Sequence, residues 1–349
     1  MTSHRTLSEL GGWPTLLGRL VEGGDLTTEE AHAALGAILA GDATPAQTAG
    51  LIVALRQKGE TVAELDGLVG AMLDAAAPIE LPDGTIDIVG TGGSPRRRTR
   101  ALNVSTMASI VAAAAGARVC KHGNVRASST SGSFDLLSAL GVGYDLPAER
   151  VAALVQEIGV GFCFARAFHP AMRHAGPVRA ELGIPTVFNV LGPLSHPGRV
   201  RRQLLGVGDG RLLDLVAGVL AERGAESALV VHGADQLDEL TLSGPTHVRE
   251  VRDGAVVDSY DVSPRDFGLA VVDVDDMPGG TPEDNAAIAG SVFAGDLGPA
   301  RDIVVLNAGA ALRVAAVAGS IGEGIEAAAA AIDSGGAASV LDRLRAATS

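Results

Sequence analysis

The stretch Asp87–Thr106, which reads DIVGTGGSPRRRTRALNVST, decides how the rest of the chain is interpreted. It begins as a short apolar run, breaks at Gly90-Thr91-Gly92-Gly93, and resumes near Asn103 with apolar residues at helical spacing. A strand, a glycine turn and a helix start form an anion site, because glycines let the backbone approach a phosphate and helix N-terminal N–H groups point at it. The stretch matches neither a Walker A loop nor a dinucleotide fingerprint. Phosphate binding and a plain tight turn both stay open at this point.

The composition is typical of a soluble α/β protein. The 349 residues allow two domains, and 47% hydrophobic residues supply a sizeable core. Because the sequence shows neither a signal peptide nor an apolar run of membrane-spanning length, we expect a cytoplasmic protein without a membrane partner. The net charge of −14 disfavours a nucleic-acid partner. Cys120 and Cys163 lie in apolar runs, which predicts buried thiols rather than a disulfide or a metal pair.

The first 76 residues are predicted to be helical. Thr27–Glu30 has the pattern of a capping box, Thr44-Pro45 begins a second helix, and Val62–Ala75 is a third. Helices this short cannot bury their apolar faces alone. We therefore expect them to pack on the rest of the chain or on a partner chain.

From about residue 83 the pattern alternates between strands and helices. This alternation predicts a mostly parallel sheet with helices on both faces, and hence an α/β fold. The predicted parallel strands are 85–89, 117–121, 160–165, 203–207 and 227–231. A helix is predicted over 170–182, and the pattern of 185–194 is mixed. After residue 240, two strand-like runs flank Asp253-Gly254, which is a strong hairpin signal. Helices are predicted again at 282–293, 299–318, 321–333 and 338–347.

Polar residues cluster where predicted strands end, which is where open α/β sheets bind ligands. The first cluster joins the Gly90–Gly93 loop to Asn103, Ser105 and Thr106, although Asn103 is also an ordinary helix-cap residue. The second is Lys121-His122-Gly123-Asn124, which places three polar side chains at one strand end. A purely structural role explains that run less well than a functional one.

Two further clusters carry charge. Arg166, His169 and Arg179 follow the third strand, where they form either a solvated face or a carboxylate-binding site. Asp238-Glu239 follows the strand at 227–231. Two adjacent carboxylates repel each other, which indicates either that a hard cation such as Mg²⁺ binds between them or that the loop is exposed to solvent. Together the four clusters indicate a phosphorylated donor, Mg²⁺ and an acidic acceptor.

Six motifs occur in order along the chain: GTGG, NVST, KHGN, FHPAMRH, VRAELGIPTVFNVLGPL and HGADQLDE. With these motifs the chain resembles anthranilate phosphoribosyltransferase over nearly its whole length. The resemblance implies a small helical domain, residues 1–80 with a crossing segment near 185–200, and a larger α/β domain, residues 81–184 and 201–349. It also implies a homodimer that forms through the helical domain.

The resemblance further implies phosphoribosyl transfer from phosphoribosyl pyrophosphate to the amine of anthranilate, with release of pyrophosphate, in tryptophan biosynthesis. Lys121, Asp238 and Glu239 would act by electrostatics and positioning, and no residue is expected to act as an acid or base. The implied donor-binding residues are Gly90, Thr91, Gly92, Gly93, Asn103, Ser105, Thr106, Lys121 and Ser133. The implied Mg²⁺ ligands are Ser105, Asp238 and Glu239. The expected acceptor-binding residues are His122, Asn124, Arg166, His169 and Arg179.

The sequence departs from the family pattern in places. Ser94-Pro95 stands where the family usually has an aspartate and a glycine, an arginine-rich run follows it, and Arg166 replaces a proline. These departures keep two alternatives open. One is a paralogue with the same donor and a different aromatic acceptor in secondary metabolism. The other is a non-enzymatic paralogue that binds nucleic acid, against which the retained Asp238-Glu239 pair and the acidic net charge both argue.

Overall fold

The structure is a computed structural model that describes residues 5–92, 94, 101–126 and 130–349. Gly93 and the arginines between residues 95 and 100, to which the sequence analysis drew attention, lie outside the described residues. The described chain begins with helices, as predicted. These are α1 (Gly12–Val21), α2 (Thr28–Ala40), α3 (Pro45–Lys58) and α4 (Val62–Asp74).

Three of these helices begin with a capping box. In each box a threonine hydroxyl accepts the N–H three residues ahead, and the side chain at that position accepts the threonine N–H; the pairs are Thr27/Glu30, Thr44/Gln47 and Thr61/Glu64. Each box satisfies N–H groups that a helix start leaves unpaired. The helices α2 and α4 then pack closely, since a Cβ at Gly67 would lie 2.1 Å from the carbonyl oxygen of Thr28.

One sheet of seven strands forms the centre of the rest of the chain. Its strands are β1 (Ile86–Gly90), β2 (Val119–Gly123), β3 (Val160–Phe164), β4 (Arg202–Gly206), β5 (Ser227–Gly233), β6 (Thr246–Arg252) and β7 (Ala255–Val262). They lie in the order β3-β2-β1-β4-β5-β6-β7. The first five pair in parallel, and β6 and β7 form the predicted antiparallel hairpin at one edge. The predicted α/β architecture is therefore confirmed.

Helices cover both faces of this sheet. They are α5 (Val104–Ala114), α6 (Ser133–Ala139), α7 (Ala148–Ile158), α8 (Ala165–Phe168), α9 (Gly176–Leu182), α10 (Phe188–Leu194), α11 (Leu213–Glu222), α12 (Pro282–Phe293), α13 (Pro299–Val314), α14 (Ile321–Asp333) and α15 (Gly336–Thr348). One core joins a sheet face to α5, α6 and α12–α15, and the other joins the opposite face to α1–α4, α10 and α11. Of the helices described, none is long and apolar enough to cross a membrane.

Three details differ from the sequence prediction. The helix expected over 170–182 consists of a 3-10 turn, Pro170–His174, followed by α9, because Pro177 in the first turn of α9 cannot donate an N–H to continue the preceding turn. The segment 185–194, which the pattern left mixed, contains α10. The helix expected over 299–318 ends at Val314, since Ala316 adopts a left-handed φ of 58°.

The two cysteines are buried, as predicted. Cys120 and Cys163 are fully buried free thiols on neighbouring strands, with their sulfur atoms 3.3 Å apart.

Candidate functional site

A cavity of about 330 Å³ opens where β1, β2 and β5 end. Parallel strands point their carboxyl ends at one edge of the sheet, so residues far apart in sequence meet there. The cavity wall includes most of the residues that the sequence analysis assigned to the donor and the metal. They are Gly90, Thr91, Gly92, Asn103, Ser105, Lys121, Ser133, Asp238 and Glu239.

The glycine loop and the acidic loop are bonded to each other. The N–H of Gly92, a residue with a left-handed φ of 67°, donates to Asp238 Oδ2 at 2.7 Å. A Cβ at Gly90 would lie 2.1 Å from Asp238 Oδ2, and one at Gly206 would lie 1.7 Å from the Asp238 carbonyl oxygen. These glycines therefore allow an approach that any larger residue would prevent.

Asn103 precedes α5, but its side chain makes no capping hydrogen bond to that helix. Its Nδ2 instead donates to the Ser131 carbonyl oxygen at 3.3 Å, and Ser131 Oγ donates to Asn103 Oδ1 at 2.7 Å. Its backbone N–H donates to the buried side chain of Asn285 at 3.0 Å. The helix-cap interpretation of the Asn103 side chain is therefore wrong, and the residue ties the start of α5 to the loop before α6.

Lys121 forms part of the cavity wall although it is only 2% exposed. Its Nζ donates to the Ile88 carbonyl oxygen at 2.5 Å. Burial lowers the pKa of the ammonium, while the charges of Asp87, Glu239 and Asp238 oppose that shift. A lysine held in this way presents a positive charge to an anionic ligand at the end of β2.

The oxygen atoms around the cavity suit magnesium. The Ser105 side chain in the first turn of α5 and the carboxylates of Asp238 and Glu239 all belong to its wall. A hydroxyl and two carboxylates are hard oxygen donors, and Mg²⁺ binds typically to one or two carboxylates together with substrate phosphates. The chemistry of this donor set therefore fits the ion that the sequence predicted.

Thr106 differs from the other expected donor residues. It is fully buried within α5 and is not part of the cavity wall. Its Oγ1 has no hydrogen-bond partner among the described residues.

The residues expected to bind the acceptor are less tightly grouped. His122 and Asn124 belong to the cavity wall, and the ring of buried His169 lies 5.2 Å from that of His122. A third buried imidazole, His196, is 5.8 Å from His122. Burial lowers the pKa of His122 well below its ordinary value and those of His169 and His196 to about 4, so all three rings are neutral at pH 7.

The two arginines expected at the acceptor site are not part of this cavity wall. The guanidinium carbon of Arg179 lies 4.9 Å from the centre of the Phe188 ring at the start of α10. Burial lowers the pKa of Arg179. Arg166 is exposed on the short helix α8.

Four polar residues of the cavity wall were not among the predicted site residues: Ser94, Arg126, Ser131 and Asn189. Ser131 stands in a hydroxyl-rich run, which was a usable signal. Asn189 lies on α10 within an apolar segment, and its Oδ1 accepts the Thr186 N–H at 3.0 Å. Nothing in the surrounding pattern marks Asn189, because only the fold brings α10 to the cavity.

Comparisons with known proteins agree with this geometry. Residues 14–76 match the helical bundle domain of a glycosyl transferase family, and residues 83–338 match the a/b domain of a glycosyl transferase family. The chain is 51% identical to "Anthranilate phosphoribosyltransferase" of Rhodococcus jostii (strain RHA1), over 95% of this chain and 92% of the relative.

Solved structures extend the match. The anthranilate phosphoribosyltransferase of Thermus thermophilus superposes with a TM-score of 0.89 at 43% identity, over 95% of this chain and 98% of that one. The Saccharomyces cerevisiae enzyme, solved in complex with PRPP and Mg, gives 0.87 at 29% identity, over 96% and 97%. The glycine loop, the acidic pair and the two-part fold thus belong together, and the chain is a member of the anthranilate phosphoribosyltransferase family.

Proposed function

We propose that the protein transfers the phosphoribosyl group of phosphoribosyl pyrophosphate to the amine of anthranilate and releases pyrophosphate, as a step of tryptophan biosynthesis. The observation that carries this proposal is the convergence of the glycine loop, Lys121 and the Asp238-Glu239 pair on one cavity. The family membership of the chain supports the same reaction.

The donor's phosphates fit the half of the cavity formed by the glycine loop and α5. Backbone N–H groups of a glycine turn and of a helix start bind phosphate oxygens, and the hydroxyls of Ser105 and Ser133 add further donors. Lys121 contributes a positive charge from β2. We assign Gly90, Thr91, Gly92, Asn103, Ser105, Lys121 and Ser133 to this role, with Gly93 outside the described residues and Thr106 as a buried support.

Ser105, Asp238 and Glu239 would hold Mg²⁺. The ion supplies positive charge that stabilises the departing pyrophosphate. The hydrogen bond from Gly92 to Asp238 keeps one carboxylate beside the phosphate loop, so the residues for the metal and for the pyrophosphate already lie side by side.

The acceptor would bind on the side of His122 and Asn124, with His169 behind them and Arg179 or Arg166 for its carboxylate. His122 Nδ1 lies 3.1 Å from the Gly192 carbonyl oxygen, so Nδ1 carries the proton and Nε2 is left as an acceptor. The Nε2 atoms of His122 and His169 are buried, and no described residue is hydrogen-bonded to them. Since His122 belongs to the cavity wall, its Nε2 suits an arylamine, which donates N–H groups.

The reaction then needs little acid–base chemistry. The amine nitrogen is neutral at pH 7, so its lone pair attacks C1 of the ribose while the bond from C1 to the pyrophosphate oxygen breaks, and the nitrogen afterwards releases a proton. Positive charge develops on the ribose and negative charge on the leaving group. Positioning and electrostatic stabilisation therefore account for catalysis, through the charges of Lys121 and the metal site.

The test is direct. Purified protein with phosphoribosyl pyrophosphate, Mg²⁺ and anthranilate should consume anthranilate, which is followed by the loss of its fluorescence. Reactions without donor or with EDTA are the controls, and neither should turn over. Absence of turnover with anthranilate, together with donor-dependent consumption of another aromatic amine, would favour the paralogue with a different acceptor.

Assembly and location complete the proposal. We propose that residues 1–80 with the crossing segment 185–200 form one domain, that residues 81–184 and 201–349 form the other, and that the protein is a cytoplasmic homodimer. Val21 on α1 and Val53 on α3 are 79% and 42% exposed, which suits an interface through the helical part. Free thiols 3.3 Å apart suit a reducing compartment. Light scattering should give twice the chain mass, and Val21→Glu should lower it.

A further inference from the structure

Asp87 is a carboxylate buried in the middle of the sheet. It lies on β1, is 0% exposed, and is not part of the cavity wall. No described lysine or arginine forms an ion pair with it. Removing a carboxylate from water is costly unless hydrogen bonds or charges compensate. Because an asparagine of the same shape would avoid that cost, the presence of a carboxylate at this position needs an explanation.

The first contact of the Asp87 side chain is with the backbone of β2. Asp87 Oδ1 accepts the backbone N–H of His122 at 3.0 Å. The next residue on β1, Ile88, accepts the Nζ of Lys121 at 2.5 Å through its carbonyl oxygen. Consecutive residues of β1 therefore hold Lys121 and His122, which are consecutive on β2. Both belong to the cavity wall, Lys121 on the proposed donor side and His122 on the proposed acceptor side.

The second contact of the Asp87 side chain connects it to α10 through Gln203. Asp87 pairs in register with Gln203 on β4, whose Nε2 lies 3.5 Å from Asp87 Oδ2 and donates to the Pro193 carbonyl oxygen at 3.1 Å. The neighbouring carbonyl of Gly192 accepts from His122 Nδ1. The contacts close into a ring that runs from Asp87 through His122, α10 and Gln203 back to Asp87. The same helix presents Asn189 to the cavity.

We propose that Asp87 is a positioning residue for the transfer reaction, which holds Lys121 and His122 of β2 and the crossing helix α10 in the arrangement that both substrates need. The inference rests on the proposed function, and it adds a residue that lies beneath the site rather than in it.

The position of Asp87 also bears on Lys121. Asp238 and Glu239 belong to the cavity wall, so a bound cation neutralises them, whereas Asp87 is enclosed in the sheet. Burial raises the pKa of Asp87 to about 7, so part of the molecules carry its charge near neutral pH, and that charge raises the pKa of Lys121.

The experiment compares Asp87→Asn with the parent protein in steady-state kinetics, with each substrate varied in turn. We expect kcat/KM for the donor to fall by about tenfold or more, with kcat itself lowered, since misplaced groups lose transition-state stabilisation. The control is Val160→Ala, a fully buried apolar truncation on β3. It should lower the melting temperature and leave kcat and both KM values unchanged.

A lowered melting temperature in Asp87→Asn with kcat and both KM values within about twofold of the parent would overturn the proposal, because it would show a merely structural role. Gln203→Met gives a second, independent test, since it removes the bridge to Pro193 and keeps the side chain's length. If the ring acts as a unit, the double variant loses less than the sum of the two single losses. Additive losses would contradict the ring.

Binding separates this inference from the function itself. Calorimetry with phosphoribosyl pyrophosphate and Mg²⁺ should show weaker donor binding to Asp87→Asn than to the parent protein. If the parent binds the donor and does not consume anthranilate, the proposed acceptor is wrong while this comparison still tests Asp87. Equal donor affinity in the two proteins would count against the link from Asp87 to Lys121. If Asp87→Asn does not fold, Gln203→Met carries the test through the same kinetics.

Discussion

The parts of the cavity wall that we propose for the donor and for the acceptor, called the donor wall and the acceptor wall, are built differently. The donor wall, formed by the glycine loop, Lys121 and the Asp238-Glu239 pair, comes from the ends of β1 and β2 and from the loop after β5, with the start of α5 alongside. The acceptor wall is formed by His122 and Asn124 at the end of β2 and by α10, which belongs to a crossing segment outside the sheet. All expected donor residues except Thr106 and the undescribed Gly93 belong to the cavity wall, whereas Arg166, His169 and Arg179 do not.

The difference shows how much a parallel sheet determines. Once the strands pair in parallel, their ends must meet, and the site at that edge follows from strand order alone. Segments outside the sheet have no such constraint. Their side chains reach a ligand only through the packing of helices, as when Arg179 lies over the Phe188 ring.

The largest effect is expected at the acidic pair of the donor wall. Asp238→Asn with Glu239→Gln should reduce kcat at least about a hundredfold, because both carboxylates of the metal site lose their charge. The anthranilate fluorescence assay measures this loss. Asp342→Asn, an exposed aspartate on α15, is the matched control and should behave like the parent. Normal turnover in the double variant would remove the metal assignment.

A second prediction tests the close contact between the glycines and the acidic loop. Gly206→Ala places a Cβ 1.7 Å from the Asp238 carbonyl oxygen, so the loop must move, and we expect kcat/KM to fall by about tenfold or more. Gly290→Ala on α12, where a Cβ meets nothing within 4 Å, is the control. Equal kinetics in both variants would show that the loop adjusts without affecting the site.

A smaller and more selective effect is expected on the acceptor wall. Arg179→Ala should raise KM for anthranilate by about tenfold and leave KM for the donor unchanged, since an arginine binds a carboxylate through two hydrogen bonds. Exposed Arg173→Ala is the control. An unchanged KM for anthranilate would transfer the carboxylate-binding role to Arg166, which the same substitution at that position then tests.

The smallest effect concerns the dependence of the free energy of unfolding on pH. His122, His169 and His196 stay neutral when folded, the latter two down to a pKa of about 4, whereas unfolded imidazoles take up protons near their ordinary value of 6.5. The unfolded chain therefore binds more protons between these values, so the free energy of unfolding should decrease as the pH falls from 6.5 towards 4. Buried Asp87 opposes this, because burial raises its pKa to about 7 and it binds a proton in the folded state first.

With three imidazoles against one carboxyl, a net decrease in the free energy of unfolding is expected over that range. Urea unfolding at pH 6.5, 5.5 and 4.5 measures it. His196→Gln should make the dependence on pH shallower, and an identical dependence in the variant would show that His196 does not contribute.

The sequence by itself determined the fold class and predicted most residues of the cavity wall that we propose for the donor. Alternating strand and helix patterns predicted the parallel sheet, and polar runs at strand ends predicted which residues meet, because short-range periodicity and strand polarity are properties of the local chain. The capping boxes at Thr27, Thr44 and Thr61 are equally local; the first was expected, and at Thr44 only the helix start was expected. The glycines of the loop were recognised for the same reason.

Only the tertiary structure decided the rest. The pairing of Asn103 with Ser131, the place of Asn189 on the cavity wall, the stacking of Arg179 on Phe188 and the ring around Asp87 all join residues from separate elements. Their distances depend on how α10 and the loops pack against the sheet, which no spacing in the sequence records. In the sequence, Asp87 is only one polar residue within an apolar strand. Its hydrogen-bond partners come close to it only when β1, β2 and β4 lie side by side.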